Sequence, residues 1–169
     1  IITTEKFPLR KTDLEQALSV WTELAGLSQQ LIDNYPPPLA GCHRLNWFDE
    51  RLTIDLWLGD ATNCLSQVTG QGKVDAWLLD GFAPSCNQEL WSKDLLAQIA
   101  RLSKPHTTLA TFSVASAVKQ GLKHHGFTLA KRKGFGKKRE MLTASFQPKS
   151  TSANFCEVYF RYNLSLIHI

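Results

Sequence analysis

A short apolar run between two carboxylates, Ala76 to Leu79, constrains the fold of this chain more than any other stretch. Runs of this length and composition are typical of strands buried in a parallel sheet. Such a strand delivers the residues after it to the carboxyl edge, where open α/β sheets bind their ligands. Here those residues are Asp80, Gly81 and the rigid apolar loop Phe82-Ala83-Pro84. The stretch predicts one wall of a small-molecule site; the alternative is an Asp80 that only caps a turn.

The rest of the chain alternates between strand and helix patterns. Strands are predicted at 1–4, 43–48, 52–58, 74–79, 108–112, 127–131 and 141–146. Helices are predicted in most of the intervals between them, with Thr12 capping the first through a capping box and Asn87 capping the one after strand 74–79. This order predicts an α/β fold with a mostly parallel sheet that is covered on both faces, its last strand being antiparallel.

The composition is that of one globular domain: 169 residues, 43% of them hydrophobic. No apolar run approaches the ~18 residues that would indicate a membrane span, and the start lacks the pattern of a signal peptide. Because the chain does not start with Met, we expect it to begin in mid-sequence. The four cysteines and five histidines lack metal-site spacing, so we predict no metal and a reducing, cytoplasmic location.

Positive charge is concentrated in one part of the chain. Residues 95–139 hold ten Lys and Arg and no acid, although the net charge of the whole chain is only +4. Six of these cations lie within 131–139, flanking an aromatic residue. An uninterrupted basic segment between two strands predicts a surface for RNA, formed by Lys131, Arg132, Lys133, Phe135, Lys137, Lys138 and Arg139. The alternative is an ordinary solvated charge run.

Three predicted parallel strands each end at an acid, namely Glu5, Asp60 and Asp80. A carboxylate at a strand tip can accept hydrogen bonds from both hydroxyls of a ribose or from an adenine amino group. Gly59 and Gly81 stand beside two of the acids. The pattern predicts a nucleoside-containing cofactor, either a dinucleotide or S-adenosylmethionine, while simple helix caps remain the alternative. The chain has no glycine-rich phosphate loop to separate the two cofactors.

Six ordered motifs then give the chain a family resemblance. It resembles the methyltransferase domain of the bifunctional tRNA 5-methylaminomethyl-2-thiouridine biosynthesis proteins (MnmC-like) through Thr4-Glu5-Lys6-Phe7-Pro8-Leu9, Pro38 to Arg44, Asp55 to Asp60, Asp75 to Pro84, Leu109 to Phe112 and Lys131 to Met141. The resemblance implies a Rossmann-like class I methyltransferase that uses S-adenosylmethionine to methylate the 5-aminomethyl group of the wobble uridine in tRNA. It also implies a C-terminal flavin (FAD) oxidoreductase domain as the usual companion.

The same resemblance implies roles for individual residues. Asp80 is the expected catalytic residue, and the expected cofactor-binding residues are Glu5, Lys6, Gly59, Asp60, Ala61, Asp80 and Gly81. Glu5 is expected at the ribose, and Asp60 with Ala61 at the adenine. Phe82, Ala83 and Pro84 are expected to line the substrate pocket.

The chain departs from the family pattern in three places. The family's first strand and its glycine-rich cofactor loop would lie before Ile1, so we expect this chain alone to bind cofactor weakly and to be inactive. Pro105-His106-Thr107 replaces a Pro-Gly-Gly turn, which leaves the geometry of that turn open. The partial methyltransferase domain is therefore taken as 1–147. We expect the tail, 148–169, to be disordered or artefactual.

Two other functions remain open on the sequence. One is a non-catalytic tRNA-binding module that depends on residues 131–139 and not on Asp80. The other is a dinucleotide-dependent Rossmann oxidoreductase, which would require a phosphate-binding loop in a preceding segment.

Overall fold

The structure is a computed structural model that describes residues 1–47, 51–81, 89–134, 136 and 139–148, together with the backbone of 166–168. Its strands are β1 (Ile2–Glu5), β2 (Gly41–Trp47), β3 (Leu52–Leu58), β4 (Val74–Leu79), β5 (Ser103–Thr111), β6 (Phe127–Lys133), β7 (Glu140–Phe146) and β8 (Leu166–His168). Its helices are α1 (Lys11–Leu18), α2 (Ala25–Asn34), α3 (Ala61–Gln67), α4 (Lys93–Leu102) and α5 (Ser116–His124), with 3₁₀ turns at Thr22–Leu24 and Glu89–Trp91.

The strands form one mixed sheet in the order β2-β3-β1-β8-β4-β5-β7-β6. Strands β3, β1, β8, β4 and β5 are mutually parallel. β2 pairs antiparallel with β3, and β7 lies antiparallel between β5 and β6. The predicted α/β class, the predicted bounds of β4 and the antiparallel β7 are confirmed.

Part of the tail, 148–169, which was expected to be disordered or artefactual, forms a strand. Leu166–His168 forms β8 and pairs in parallel with both β1 and β4. These two strands would otherwise leave two rows of unpaired backbone groups in the middle of the sheet, and a short apolar strand satisfies part of both rows. Three residues of the tail therefore lie in the sheet, while the assignment of 148–169 as a whole stays a prediction.

The main core lies on one face of β4, β5, β7 and β6, beneath α3, α4 and α5. Trp77 is fully buried there, and its indole Nε1 donates a hydrogen bond to Ser103 Oγ at 2.9 Å. Ser103 Oγ in turn donates to the carbonyl of Ile99, at 2.7 Å. The remaining large side chains of this core are apolar and equally shielded: Leu65, Leu95, Leu96, Leu102, Leu109, Val118, Leu122 and Leu142.

The opposite face of the same strands is open among the described residues. Leu78 on β4 and Phe112 after β5 are 40% and 41% exposed, and a groove of about 490 Å³ crosses β4, β5, β7 and β6 on this side. The expectation that helices cover both faces is therefore wrong for this half of the described sheet. The periodicity of a strand shows which side chains share a face, but not whether a helix lies against that face.

Two helix starts also differ from prediction. The N-cap of α1 is Arg10, so Thr12 lies inside the helix, and Arg10 Nε bonds the Asp13 carboxylate at 2.8 Å. The N-cap of α4 is Ser92, whose hydroxyl accepts the Leu95 amide at 3.1 Å. Asn87, the predicted cap, lies outside the described residues. Several polar residues near a helix start compete to cap it, and packing decides among them.

The turn left open by the sequence keeps a glycine-like backbone. His106 has φ of +68°, in the left-handed region that favours glycine. β5 runs from Ser103 to Thr111, but its register against β4 shifts between the Val74–Ser103 and Ala76–Thr108 pairs, so the histidine lies in an irregular, bulged part of the strand.

Candidate active site

The three predicted acids lie at one edge of the sheet. Glu5, Asp60 and Asp80 stand at the carboxyl ends of the parallel strands β1, β3 and β4. Thr3 and Leu78 pair with the same residue of β8, so Glu5 and residue 80 are level across the sheet. One strand separates β1 from β4, which places these two positions about 10 Å apart. The carboxyl-end rim formed by Glu5, Asp60 and Asp80 is called the acidic rim below.

Asp60 has one oxygen committed to the fold and one directed along the rim. Oδ1 accepts the amides of Thr62 and Asn63, at 3.1 and 3.2 Å, and thereby caps α3. Oδ2 lies 3.8 Å from Lys6 Nζ. The helix-cap alternative is thus right for Oδ1, while Oδ2 is placed where a ligand amino group could reach it.

Glu5 is held by its own turn at the tip of β1. Its Oε1 accepts the amide of Phe7 at 2.7 Å, and its carbonyl accepts the amide of Gly59 at 2.9 Å. Tyr35, which the sequence did not single out, lies nearby at the end of α2. Burial, together with the negative charge of Glu5, raises the pKa of the Tyr35 hydroxyl. Tyr35 therefore stays neutral beside the acid, as a hydrogen-bonding group.

Both rim glycines are required by close approach. Gly59 has φ of +145°, and a Cβ there would lie 3.2 Å from Cys64 Sγ. A Cβ on Gly81 would overlap Leu90 Cδ2, so a larger residue there would displace the Leu90 side chain that packs against the tip of β4. Ala61, just inside α3, is 8% exposed and leaves little side-chain bulk above the rim.

Asp80 is exposed at the end of β4, directly after the buried Leu79. The strand fixes its backbone, because β4 is paired on both sides, to β5 and to β8. Phe82, Ala83 and Pro84 lie outside the described residues, and their place in a substrate pocket stays a prediction.

Lys6 points along the rim toward other acids. Its ammonium donates to Glu89 Oε2 at 2.7 Å. This hydrogen bond raises the pKa of Lys6 above its usual value, so the cation persists at physiological pH. Glu89 was missed by the sequence analysis, because a contact 83 positions away in the chain leaves no local signal.

The basic segment stands on the same edge of the sheet. Leu79, Thr111, Leu142 and Lys131 form one row across β4, β5, β7 and β6. Lys131 is therefore level with the tip of β4, three strands or about 14 Å away.

The charges of the segment are not equivalent. Lys131 Nζ bonds Glu140 at 2.9 Å, which offsets its charge. Arg132, Lys133 and Arg139 are exposed, and Arg132 also lines the open groove. Phe135, Lys137 and Lys138 lie outside the described residues, so the stacking role of Phe135 stays a prediction.

The described part of the chain contains no group of three His, Cys, Asp or Glu side chains arranged to hold a metal ion. None of its helices combines the length and the apolar character needed to cross a membrane.

Comparison with known proteins identifies the family to which the chain belongs. Residues 22–147 match the family model described as S-adenosyl-L-methionine-dependent methyltransferase. The chain belongs to this methyltransferase family. The match selects S-adenosylmethionine over a dinucleotide as the cofactor class, and it gives no support to the oxidoreductase hypothesis.

Relatives of known name agree with this assignment. The chain is 58% identical over 144 residues to the tRNA 5-methylaminomethyl-2-thiouridine biosynthesis bifunctional protein MnmC of Acinetobacter baylyi, which covers 85% of the chain and 23% of the relative. The protein of the same name from Aeromonas hydrophila is 49% identical over 157 residues, covering 90% of the chain and 24% of the relative. The chain thus spans about a quarter of the length of these relatives.

A solved structure supports the fold. The crystal structure of MNMC2 from Aquifex aeolicus superposes with a TM-score of 0.65 at 24% identity, over 91% of this chain and 46% of that chain. The predicted Rossmann-like methyltransferase fold is confirmed.

Proposed function

We propose that this chain carries out the methyl-transfer step of tRNA wobble-uridine modification, converting 5-aminomethyl-(2-thio)uridine into 5-methylaminomethyl-(2-thio)uridine in the cytoplasm. The observation that carries the proposal is the acidic rim: three carboxylates at the tips of parallel strands along one edge of the sheet, in a chain from an S-adenosylmethionine-dependent family. The names of its MnmC relatives supply the substrate class.

The rim suits an adenosyl group chemically. Glu5 would accept the ribose hydroxyls, because an ionised carboxylate offers only acceptor lone pairs. Asp60 Oδ2, together with the backbone at Ala61, would face the adenine, since Oδ1 is already occupied by α3. Gly59 and Gly81 allow Cys64 and Leu90 to pack closely against the tips of β3 and β4. When bound, S-adenosylmethionine supplies an activated methyl group on its sulfonium.

Asp80 would position and deprotonate the substrate amine. The reaction forms a nitrogen–carbon bond while the methyl–sulfur bond breaks, and the nitrogen must give up one proton. Displacement of this kind depends chiefly on alignment and on a proton acceptor. A carboxylate at the end of a fixed strand, next to a glycine, provides both: it can hold the ammonium form by charge and accept the proton as the amine reacts.

The basic segment would hold the tRNA while the uridine reaches Asp80. Lys133 ends β6, three strands or about 14 Å from β4, and Arg139 precedes β7, two strands or about 10 Å from β4, so phosphates flanking the target nucleotide can reach them. Phosphate contacts of this kind fix position without reading sequence.

The proposal is tested by replacing Asp80 with Ala. Because we expect the chain alone to bind cofactor weakly, the assay uses a chimera in which this chain replaces the matching segment of the Acinetobacter baylyi relative. Asp80→Ala should abolish the mass increase of one methyl group on the tRNA nucleoside, while S-adenosylmethionine binding is partly retained. Asp33→Ala, a matched change on exposed α2, should leave the reaction intact.

Turnover unchanged in Asp80→Ala would refute the catalytic role of Asp80. A chimera that binds tRNA but transfers no methyl group in any form would instead favour the non-catalytic RNA-binding module.

A further inference from the structure

The ammonium of Lys6 joins elements that are far apart in the chain. It donates to Glu89 Oε2 at 2.7 Å and lies 3.8 Å from Asp60 Oδ2. Lys6 follows β1, Asp60 follows β3, and Glu89 opens the 3₁₀ turn that precedes α4. One cation therefore connects three elements at the acidic rim.

The Glu89–Trp91 turn is anchored at a second point. Leu90 occupies the space that a side chain on residue 81 would need, since a Cβ on Gly81 would fall 1.8 Å from Leu90 Cδ2. The turn is thus attached to the tip of β4 by packing and to the tip of β1 by the Lys6–Glu89 ion pair. Because β8 lies between β1 and β4, the ion pair spans the carboxyl end of the central strand position.

We infer that Lys6 is a positioning residue, which acts through Glu89 to fix the Glu89–Trp91 turn across the rim between Glu5 and Asp80. The inference deepens the proposed function and rests on it, because the fixed turn would border the cofactor site. It also gives Lys6 a different part from direct contact with the cofactor: its ammonium is engaged by protein carboxylates.

The charge balance of the rim supports this role. Four acids lie near one another at the rim, with Lys6 among them: Glu5, Asp60, Asp80 and Glu89. Without the cation, Glu89 would be repelled by the other carboxylates and the turn would lose its attachment to β1. The Leu90 contact with Gly81 would remain, so we expect the turn to loosen and not to detach.

Hydrogen exchange tests the attachment in the ligand-free 169-residue chain. Lys6→Met and Glu89→Gln should each speed amide exchange at Ser92, whose amide closes the turn by donating to the Glu89 carbonyl at 3.1 Å. The expected increase is about two- to fivefold, the range set by an exposed ion pair. The double variant should exceed neither single variant appreciably. Lys6→Arg should restore the protection, and Lys11→Met, a matched change at the exposed start of α1, should leave it unchanged. Unchanged exchange at Ser92 in both single variants would overturn the inference.

Titration of the same variants with S-adenosylmethionine, in the chimera used for the methylation assay, tests whether the fixed turn supports cofactor binding. Lys6→Met and Glu89→Gln should raise Kd by the same factor, about two- to fivefold and non-additively, with rescue by Lys6→Arg. A much larger loss in Lys6→Met than in Glu89→Gln would indicate direct ligand contact and would overturn the inference. Should the unaltered chimera bind no S-adenosylmethionine, the proposed function fails, while the exchange experiment still decides whether Lys6 fixes the turn.

Discussion

On the helix-covered face of β4, β5, β7 and β6, Trp77 and Leu122 are fully buried, whereas the best-shielded residues of α1 and α2, Leu14 and Ile32, are each 8% exposed. Val20 and Trp21, between α1 and α2, are 71% and 53% exposed. We call β4, β5, β7 and β6 with α3, α4 and α5 the packed half, and β1, β2 and β3 with α1 and α2 the open half. The packed half carries Asp80 and the basic segment; the open half carries Glu5 and Asp60.

The difference in packing matches the different roles proposed for the acids in the two halves. The strand that presents the proposed catalytic acid is held by a dense core, so the acid keeps its geometry. The strands that present Glu5 and Asp60, the acids proposed to bind the cofactor, are held in part by backbone contacts such as the hydrogen bond from the Gly59 amide to the Glu5 carbonyl. In the proposed function, the packed half supplies the catalytic acid and the open half supplies the acids that bind the cofactor.

The largest expected effect comes from a matched pair of tryptophan truncations. Trp77→Ala should lower the free energy of unfolding by about 3–5 kcal/mol, because it opens a cavity and removes the donor to Ser103. Trp21→Ala should change it by less than about 0.5 kcal/mol, as expected for a mostly exposed side chain. Urea denaturation measures both, and similar losses would contradict the division into halves.

A pair of leucine truncations sharpens the comparison. Leu122→Ala in the packed half should fall near the upper end of the ~2–5 kcal/mol range for buried leucines, and Leu14→Ala near the lower end. The chemistry removed is identical, so the difference reports how fully each site is surrounded. If Leu14→Ala cost as much as Leu122→Ala in urea denaturation, α1 would be packed as tightly as α5.

Replacing two helix glycines with alanine should change the stability of the protein in opposite directions. A Cβ on Gly121 of α5 would lie 2.4 Å from Leu96 Cδ1, so Gly121→Ala should destabilise by about 1–3 kcal/mol through overpacking. Gly26 of α2 has nothing within 4 Å of the added atom, so Gly26→Ala should stabilise by about 0.5 kcal/mol through helix propensity. Thermal melting distinguishes the two; destabilisation by Gly26→Ala would show that α2 is more crowded than the structure has it.

The smallest expected effect is a pH dependence of stability, which arises from the Arg44–Asp55 ion pair in the open half. The hydrogen bond from Arg44, at 2.6 Å, holds the pKa of Asp55 below its usual value of 3.8. The pair therefore contributes stability above about pH 4, which is lost as the pH falls through the lowered folded-state pKa. Arg44→Met should lower the melting temperature only slightly at pH 7, because the guanidinium is exposed and solvent screens the pair.

Melting temperatures measured from pH 7 down to pH 2 check this pH dependence. The gap between the unaltered chain and Arg44→Met should close on acidification. A gap that stays constant over the whole range would contradict the lowered pKa of Asp55.

Much of the fold was predictable because its signals are local. Strand β4 has the predicted bounds, and the β2–β3 and β6–β7 pairs follow from alternating side chains around short turns. The three acids could be placed together because parallel strands share one carboxyl edge.

The remaining features depend on contacts between distant parts of the chain. The Lys6–Glu89 pair, the place of β8 between β1 and β4, and the open face at Leu78 arise where separate elements meet. Contacts of this kind leave no pattern in any single stretch of the sequence. The start of α1 at Arg10 also differs from the predicted cap: Arg10 makes no side-chain cap bond and instead donates to the Asp13 carboxylate.

Amide chemical shifts followed during a titration with S-adenosylhomocysteine test the central claim most directly, and they tolerate weak binding. The account predicts that resonances of Glu5 and Lys6, of Gly59 to Ala61, and of Asp80 and Gly81 move together with one dissociation constant. Shifts confined to one strand tip, or located away from the acidic rim, would contradict a single adenosyl site shared by the three acids.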